Sequence, residues 1–183
     1  MGVRAIPIAL LTATLASGCH HEPPSDPAGP ASEDFKTPPC VYFKELRPFL
    51  PAALPGYTTA RDEGSTGKYG EVSVSEAERV FARDERELAV RIVDTTLSNR
   101  LGEKIKAAAN DAKARPESDP TAPLVLHETV GFVRYDRAQA KAEANLLVAD
   151  RFVVAVTGKG FESTAEVREV ARNLDLAGLS KLR

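Results

Sequence analysis

Tryptophan is missing from this sequence, and methionine occurs once, at the first position. Both gaps argue against an aromatic sugar-binding cleft and a methionine-rich adaptable surface. Histidine is scarce too: His20 and His21 stand side by side, and His127 is alone in the second half. There is no Cys-x-x-Cys, His-Glu-x-x-His, calcium-loop or Gly-x-Ser-x-Gly pattern to announce a metal centre or a nucleophile. No uncharged apolar run reaches the ~20 residues that cross a bilayer; that from Ala5 to Ala16 would rise only about 18 Å as a helix.

That short run nevertheless has a role. Arg4 precedes it and small residues, Ala16-Ser17-Gly18, follow it, the order of an export signal with its charged, apolar and cleavage regions. The Met-Gly start does not complete a myristoylation pattern, because Ile6 stands where serine or threonine is needed. Cys19 comes directly after the small residues. Leu15-Ala-Ser-Gly-Cys19 resembles the lipobox of bacterial lipoproteins, with Ala16 in the usual leucine place. The resemblance implies that residues 1–18 are removed, that the Cys19 sulfur carries a diacylglyceryl group, and that its amino group is open to acylation. The competing reading is an ordinary cleaved signal with a cysteine close by. Two or more acyl chains, at about 0.8 kcal/mol per buried methylene, hold a protein stably where one does not.

After Cys19 the composition changes abruptly. Six prolines fall within residues 20–39, interleaved with Gly29, Ser25, Ala28, Ala31 and Ser32, and no apolar periodicity survives. Residues 19–39 are therefore expected to be the lipidated cysteine and a disordered tether. Its reach is roughly 25 Å as a coil or about 60 Å as polyproline II. Glu22, Asp26, Glu33 and Asp34 keep it off anionic lipid. A lipidated Cys19 offers no thiolate, so His20 and His21 make a poor metal site. By resemblance to the sorting rules of diderm lipoproteins, His20 after the cysteine favours the outer membrane, with the domain facing the periplasm.

Charge is nearly balanced. The 24 lysines and arginines less Arg4 leave 23 against 26 acids in the mature chain, a net charge of −3. Bulk electrostatics thus gives no footing for nucleic acid. Residues 40–183 are enough for one domain burying roughly two-thirds of its unfolded surface. At its start Cys40, between Pro39 and "VYF", is expected to be buried as a small hydrophobe; intermolecular pairing is the alternative.

Periodicity divides this region. A short helix is expected near 41–47, packing Tyr42, Phe43, Leu46 and Phe49 as a lid, with prolines limiting its extension. "YTTARD" (57–62) predicts a strand and "EGSTGKYG" a loop; 72–83 and 88–95 predict a hairpin joined by "DERE". Leu97, Leu101, Ile105, Ala108 and Ala112 form one helical stripe, with Thr95 or Thr96 as its cap. The plan then repeats. "LVLHET", "GFVRY", "AQAKAEANLLV" and "RFVVAVTG" predict strands, Ser163-Thr-Ala-Glu166 a capping box before a helix, and Asp175 the cap of a last turn. The expected fold is α+β: a single two-layer domain with a twisted antiparallel sheet of about five to seven strands and both main helices on one face.

Candidates for chemistry are few. Asp94 continues the parity of Leu88, Val90 and Ile92, so it is either a buried carboxylate for acid–base work or, more commonly, a cap of the strand-to-helix turn. His127 alternates with Leu124 and Leu126 and faces the other side; an ordinary strand histidine is the simpler role. Arg151 could join these two in a polar pocket. "TGKG" (157–160) lacks the phosphate-loop spacing and reads as a turn. No catalytic residue, metal ligand or cofactor is assigned. The expected function is a membrane-anchored lipoprotein presenting a binding or interaction domain at the cell envelope, its partners the membrane and an envelope protein. The alternatives are a carrier of lipid or another apolar ligand in a helix–sheet cavity and an envelope enzyme with a non-motif site.

Overall fold

The computed structural model describes residues 40–115, 119–126 and 129–182. Cys19, the signal, the tether and His127 lie outside these residues. The chain from Cys40 forms helix α1 (Phe43–Leu46) and a 3-10 turn, then strands β1 (Thr58–Tyr69), β2 (Val72–Arg83) and β3 (Arg86–Thr95). Helix α2 (Ser98–Lys113) follows. Then come β4 (Thr121–Leu126), β5 (Thr129–Asp136), β6 (Lys141–Val148), β7 (Phe152–Lys159) and helices α3 (Ala165–Arg172) and α4 (Leu176–Leu179). All seven strands share one antiparallel sheet in the order β1-β2-β3-β7-β6-β5-β4. Each strand group is a hairpin meander, and β3 and β7 join the two groups at the centre. The α+β class and the strand count are as the periodicity predicts.

One face carries the core. Leu88, Val90 and Ile92 of β3 lie opposite Gly158, Val156 and Val154 of β7, which lie opposite Ala142, Ala144 and Leu146 of β6. All are buried, as are Val167, Val170 and Ala171 of α3 and Leu176 and Leu179 of α4, in one continuous cluster. Each fully buried aliphatic or aromatic side chain contributes about 1.5–3 kcal/mol. Small residues shape this layer. A side chain on Gly158 would overlap the Phe161 ring, and Gly158 pairs with Ala142, so the two leave room for that ring.

The long helices do not share this face. Leu146 belongs to the cluster with α3, but its neighbour Leu147 points to the back of the sheet. There Leu147 meets α2: a Cβ on Gly102 would lie 3.0 Å from its side chain. So α2 covers the back of β4–β6 while α1, α3 and α4 cover the front. The apolar run Leu146–Val148 is buried on both sides, which is what calls a helix to the back.

The α2 stripe also differs from the expected one. Its buried residues are Ser98, Gly102, Ile105, Ala109 and Ala112, whereas Leu97 and Leu101 are each 37% exposed. Ile105 and Ala112 are common to both stripes, and Ser98, Gly102 and Ala109 replace Leu97, Leu101 and Ala108 beside them, so the helix is turned by a fraction of a residue toward its small side chains. Thr95 and Thr96 do not cap it. Thr95 Oγ1 donates to the Ser73 carbonyl, and Ser73 N–H donates to Thr96 Oγ1, tying the junction to β2.

Two further expectations change. Residues 63–69 are not a loop, since β1 runs to Tyr69 and turns at Gly70-Glu71, with Gly70 at φ +62°. Strand β1 is exposed almost throughout, so no alternation of burial marked it. The capping box does not close either: Glu166 turns away to Tyr57 and Arg83, and Ser163 Oγ accepts only from Ala165 N–H. Asp175 does cap the last turn, accepting from Gly178 N–H at 2.7 Å.

Candidate functional site

Two of the three sequence candidates meet at one end of the sheet. Asp94 is the penultimate residue of β3 and is 2% exposed. Its register partner on β7 is Phe152, and this brings Arg151, in the preceding turn, alongside. Arg151 Nε donates to Oδ1 at 3.0 Å and Nη2 to Oδ2 at 2.7 Å, while the guanidinium sits 5.0 Å from the Phe152 ring centroid. Oδ2 also accepts the Val41 N–H at 2.8 Å. Asp94 thus caps no strand-to-helix turn; it holds the Val41 backbone against the end of β3.

Next to it, Cys40 Sγ donates to the Ser73 carbonyl at 3.3 Å. The thiol is half-buried, and its pKa is raised first by burial and then by the Asp94 charge. A thiol held protonated is a poor nucleophile. The Arg151 pKa is raised by its hydrogen bond to Asp94. Both carboxylate oxygens accept from donors of the chain itself, Oδ1 from Arg151 and Oδ2 from Arg151 and Val41. This cluster is a structural joint. His127, outside the described residues, cannot be placed in it.

The described residues form openings elsewhere, the largest of about 710 Å³ beside α4 at the end of β5 and β6, and the more apolar one beside α3. A cleft of about 540 Å³ runs between the segment from Pro51 to Tyr57 and helix α3. Leu54, Val170 and Leu174 supply its apolar surface, and Tyr57, Glu166 and Asn173 its polar wall. Tyr57 OH donates to Glu166 Oε1 at 2.7 Å, and Arg83 Nη2 lies 3.3 Å from both Glu166 oxygens. The Arg83 guanidinium stacks 4.3 Å from the Tyr57 ring centroid. Burial, and next the hydrogen bond to Glu166, push the Tyr57 pKa up to about 12. Further along, Asn173 Nδ2 donates to Glu169 Oε1 at 3.1 Å.

No family model, curated protein or solved structure matches this chain significantly. The site must therefore be read from its own chemistry. Among the described residues no group of three or more potential ligands could hold a metal ion, and no helix is long and apolar enough to cross a membrane. The cleft has the size and the mixture of apolar surface with few polar groups that small-ligand and peptide sites have. Its polar groups are bonded to one another, which suits shape-selective binding better than proton transfer.

Sequence reasoning missed this cleft. Pro51 and Pro55 were informative only as helix breakers, and nothing local links Tyr57 to Glu166, which lies 109 residues away. The legible part was the amphipathic stripe of α3, whose buried side is Val167, Val170 and Ala171.

Proposed function

We propose that the chain is a lipid-anchored lipoprotein of the cell envelope that presents a non-enzymatic binding domain, with the cleft beside α3 as its binding surface. Anchoring rests on the lipobox-like Leu15–Cys19 and the proline-rich residues 20–39 that follow it. Those residues give the domain reach from the membrane and raise its local concentration for membrane-associated partners. The outer membrane, with the domain facing the periplasm, is the favoured address.

The single observation behind the binding role is the cleft's composition: partly exposed Leu54 and Leu174 over the core residue Val170, bordered by side chains already hydrogen-bonded to one another. An apolar part of a partner would gain by covering that surface without leaving a charge unpaired. The carrier alternative is weaker in its helix–sheet form. Leu46, Phe81, Leu88 and Phe152 are fully buried, so the layer beneath α1 and α3 is filled by the chain's own side chains. The opening of about 710 Å³ between the ends of β5 and β6 and helix α4 is where a carrier would have to hold its ligand.

The test is capture from detergent-solubilised native membranes using the full-length, lipid-bearing protein and its Leu54→Glu variant. A species retained by the parent and lost from the folded variant is expected. Equal retention by both, or activity that depends on His127 or Asp94 in folded variants, would overturn the binding reading.

A further inference from the structure

The two ends of the sheet are unlike. Val41 N–H is held by Asp94 of β3, and Phe43 N–H by Thr66 of β1. These acceptors share one row of the sheet, because Asp94 pairs with Ser75 and Ser75 with Thr66. The described chain therefore enters at the end where β3 stops, and residues 20–39 lead from there to Cys19. The Tyr57–Glu166 bond of the cleft lies at the other end of β1, whose 12 residues span roughly 40 Å.

Exposed apolar side chains divide unevenly between these ends. Among the described residues the large ones are Tyr42, Tyr69, Leu97, Leu101 and Val125. Tyr42 stands on the entry row, between Val41 and Phe43. Tyr69, 74% exposed, closes the Gly70-Glu71 turn three residues beyond Thr66. Leu97 is three residues beyond Asp94, and Leu101 lies about one helical turn further. Val125 pairs with Val130, and that row runs through Leu147 and Val153 to Val93, next to Asp94. At about 3.3 Å per strand residue, all five lie within roughly 15 Å of the entry row. The turns at the far end, Asp84-Glu85 and Arg137-Ala138-Gln139, expose no large apolar side chain.

We propose that the entry end of the domain rests on the bilayer that holds the Cys19 lipid, with its exposed apolar side chains in the headgroup layer and the cleft directed away. This rests on the anchoring proposed above. Residues 20–39, roughly 25 Å long as a coil, keep the entry end within reach of that leaflet and raise its concentration there. Tyrosine suits the boundary, since its ring is apolar and its hydroxyl stays wet. Seven strands about 4.8 Å apart make an end about 30 Å wide, so several of these side chains can meet one leaflet together. Lys44, Lys68 and Arg100 form no ion pair among the described residues, nor do Glu45 and Glu71. These charges nearly cancel, so apolar contact rather than headgroup charge selects the surface.

The test uses the full-length, lipid-bearing protein in phosphatidylcholine vesicles that contain a nitroxide-labelled lipid. A fluorophore is attached at Glu71→Cys, in the entry-end turn, or at Glu85→Cys, in the far-end turn, each combined with Cys40→Ser to leave one thiol. Quenching at position 71 several-fold above that at position 85 is expected. Tyr69→Ser with Leu97→Ser, both at exposed positions, should bring quenching at 71 down toward the level at 85, while the melting curve and flotation with the vesicles are kept. Equal quenching at the two positions in a protein that floats would overturn the docking and leave the anchor standing. So would unchanged quenching in the folded double variant. A parent that does not float lacks the anchor, and this proposal falls with it.

Discussion

Arg151 holds Asp94 through two hydrogen bonds, at 3.0 and 2.7 Å, and Asp94 in turn holds the Val41 N–H at 2.8 Å. A residue 57 positions away in sequence thus orients the carboxylate that holds the Val41 backbone. Nearby bonds reinforce this: Cys40 Sγ donates to the Ser73 carbonyl and Phe43 N–H to Thr66 Oγ1. The leading segment is thus fastened to β2, β3 and β1 within four residues.

Breaking the joint should be costly. Asp94→Ala removes the carboxylate shared by Arg151 and the Val41 N–H at a site that is 2% exposed. Removing one partner of such a buried pair costs about 3–5 kcal/mol. Urea unfolding of the variant should show a loss of that order with the slope unchanged. A loss below about 0.5 kcal/mol would mean that the carboxylate is not structural.

Helix α2 offers a sharper contrast. Ile105 is 8% exposed and Leu101 37% exposed. Ile105→Ala should cost about 2 kcal/mol or more, the range for buried aliphatic truncation, whereas Leu101→Ala should stay within about 0.5 kcal/mol. Chemical denaturation of the two variants side by side decides the helix's rotation, and the opposite ranking would restore the leucine stripe.

That helix also shows how far the sequence could be read. Its existence follows from 3.6-residue periodicity, but its rotation depends on Gly102 fitting against Leu147, a contact no local pattern displays. Strands β3 and β7 were legible because each buries one parity of Leu, Val, Ile or Phe. The far half of β1 was not, because an exposed edge rich in glycine, serine and threonine has no buried side to impose a period. At the candidate sites, Asp94 and Arg151 could each be named from the sequence as polar residues beside apolar runs. Their pairing, like that of Tyr57 with Glu166, is made by the tertiary fold across a long stretch of chain.

Alkaline stability should report on the Tyr57–Glu166 contact. The Tyr57 pKa stands at about 12 in the folded protein, above its ordinary value of 10.0. Between these values the unfolded chain releases the proton while the folded one retains it, so unfolding is favoured as pH rises. The contribution is complete below pH 10 and is lost as pH approaches 12. Tyr57→Phe should flatten this part of the stability–pH curve relative to the parent. An unchanged slope over that window would contradict the contact.

The central claim is that this domain is held at a membrane by lipid on Cys19 and reaches outward through residues 20–39. Mass spectrometry of the N-terminal peptide from the native protein tests it most directly. The account predicts a chain beginning at Cys19 and carrying the mass of a diacylglyceryl group, with or without a further acyl chain on its amino group. An unmodified Cys19, or a mature terminus at any other residue, would contradict it.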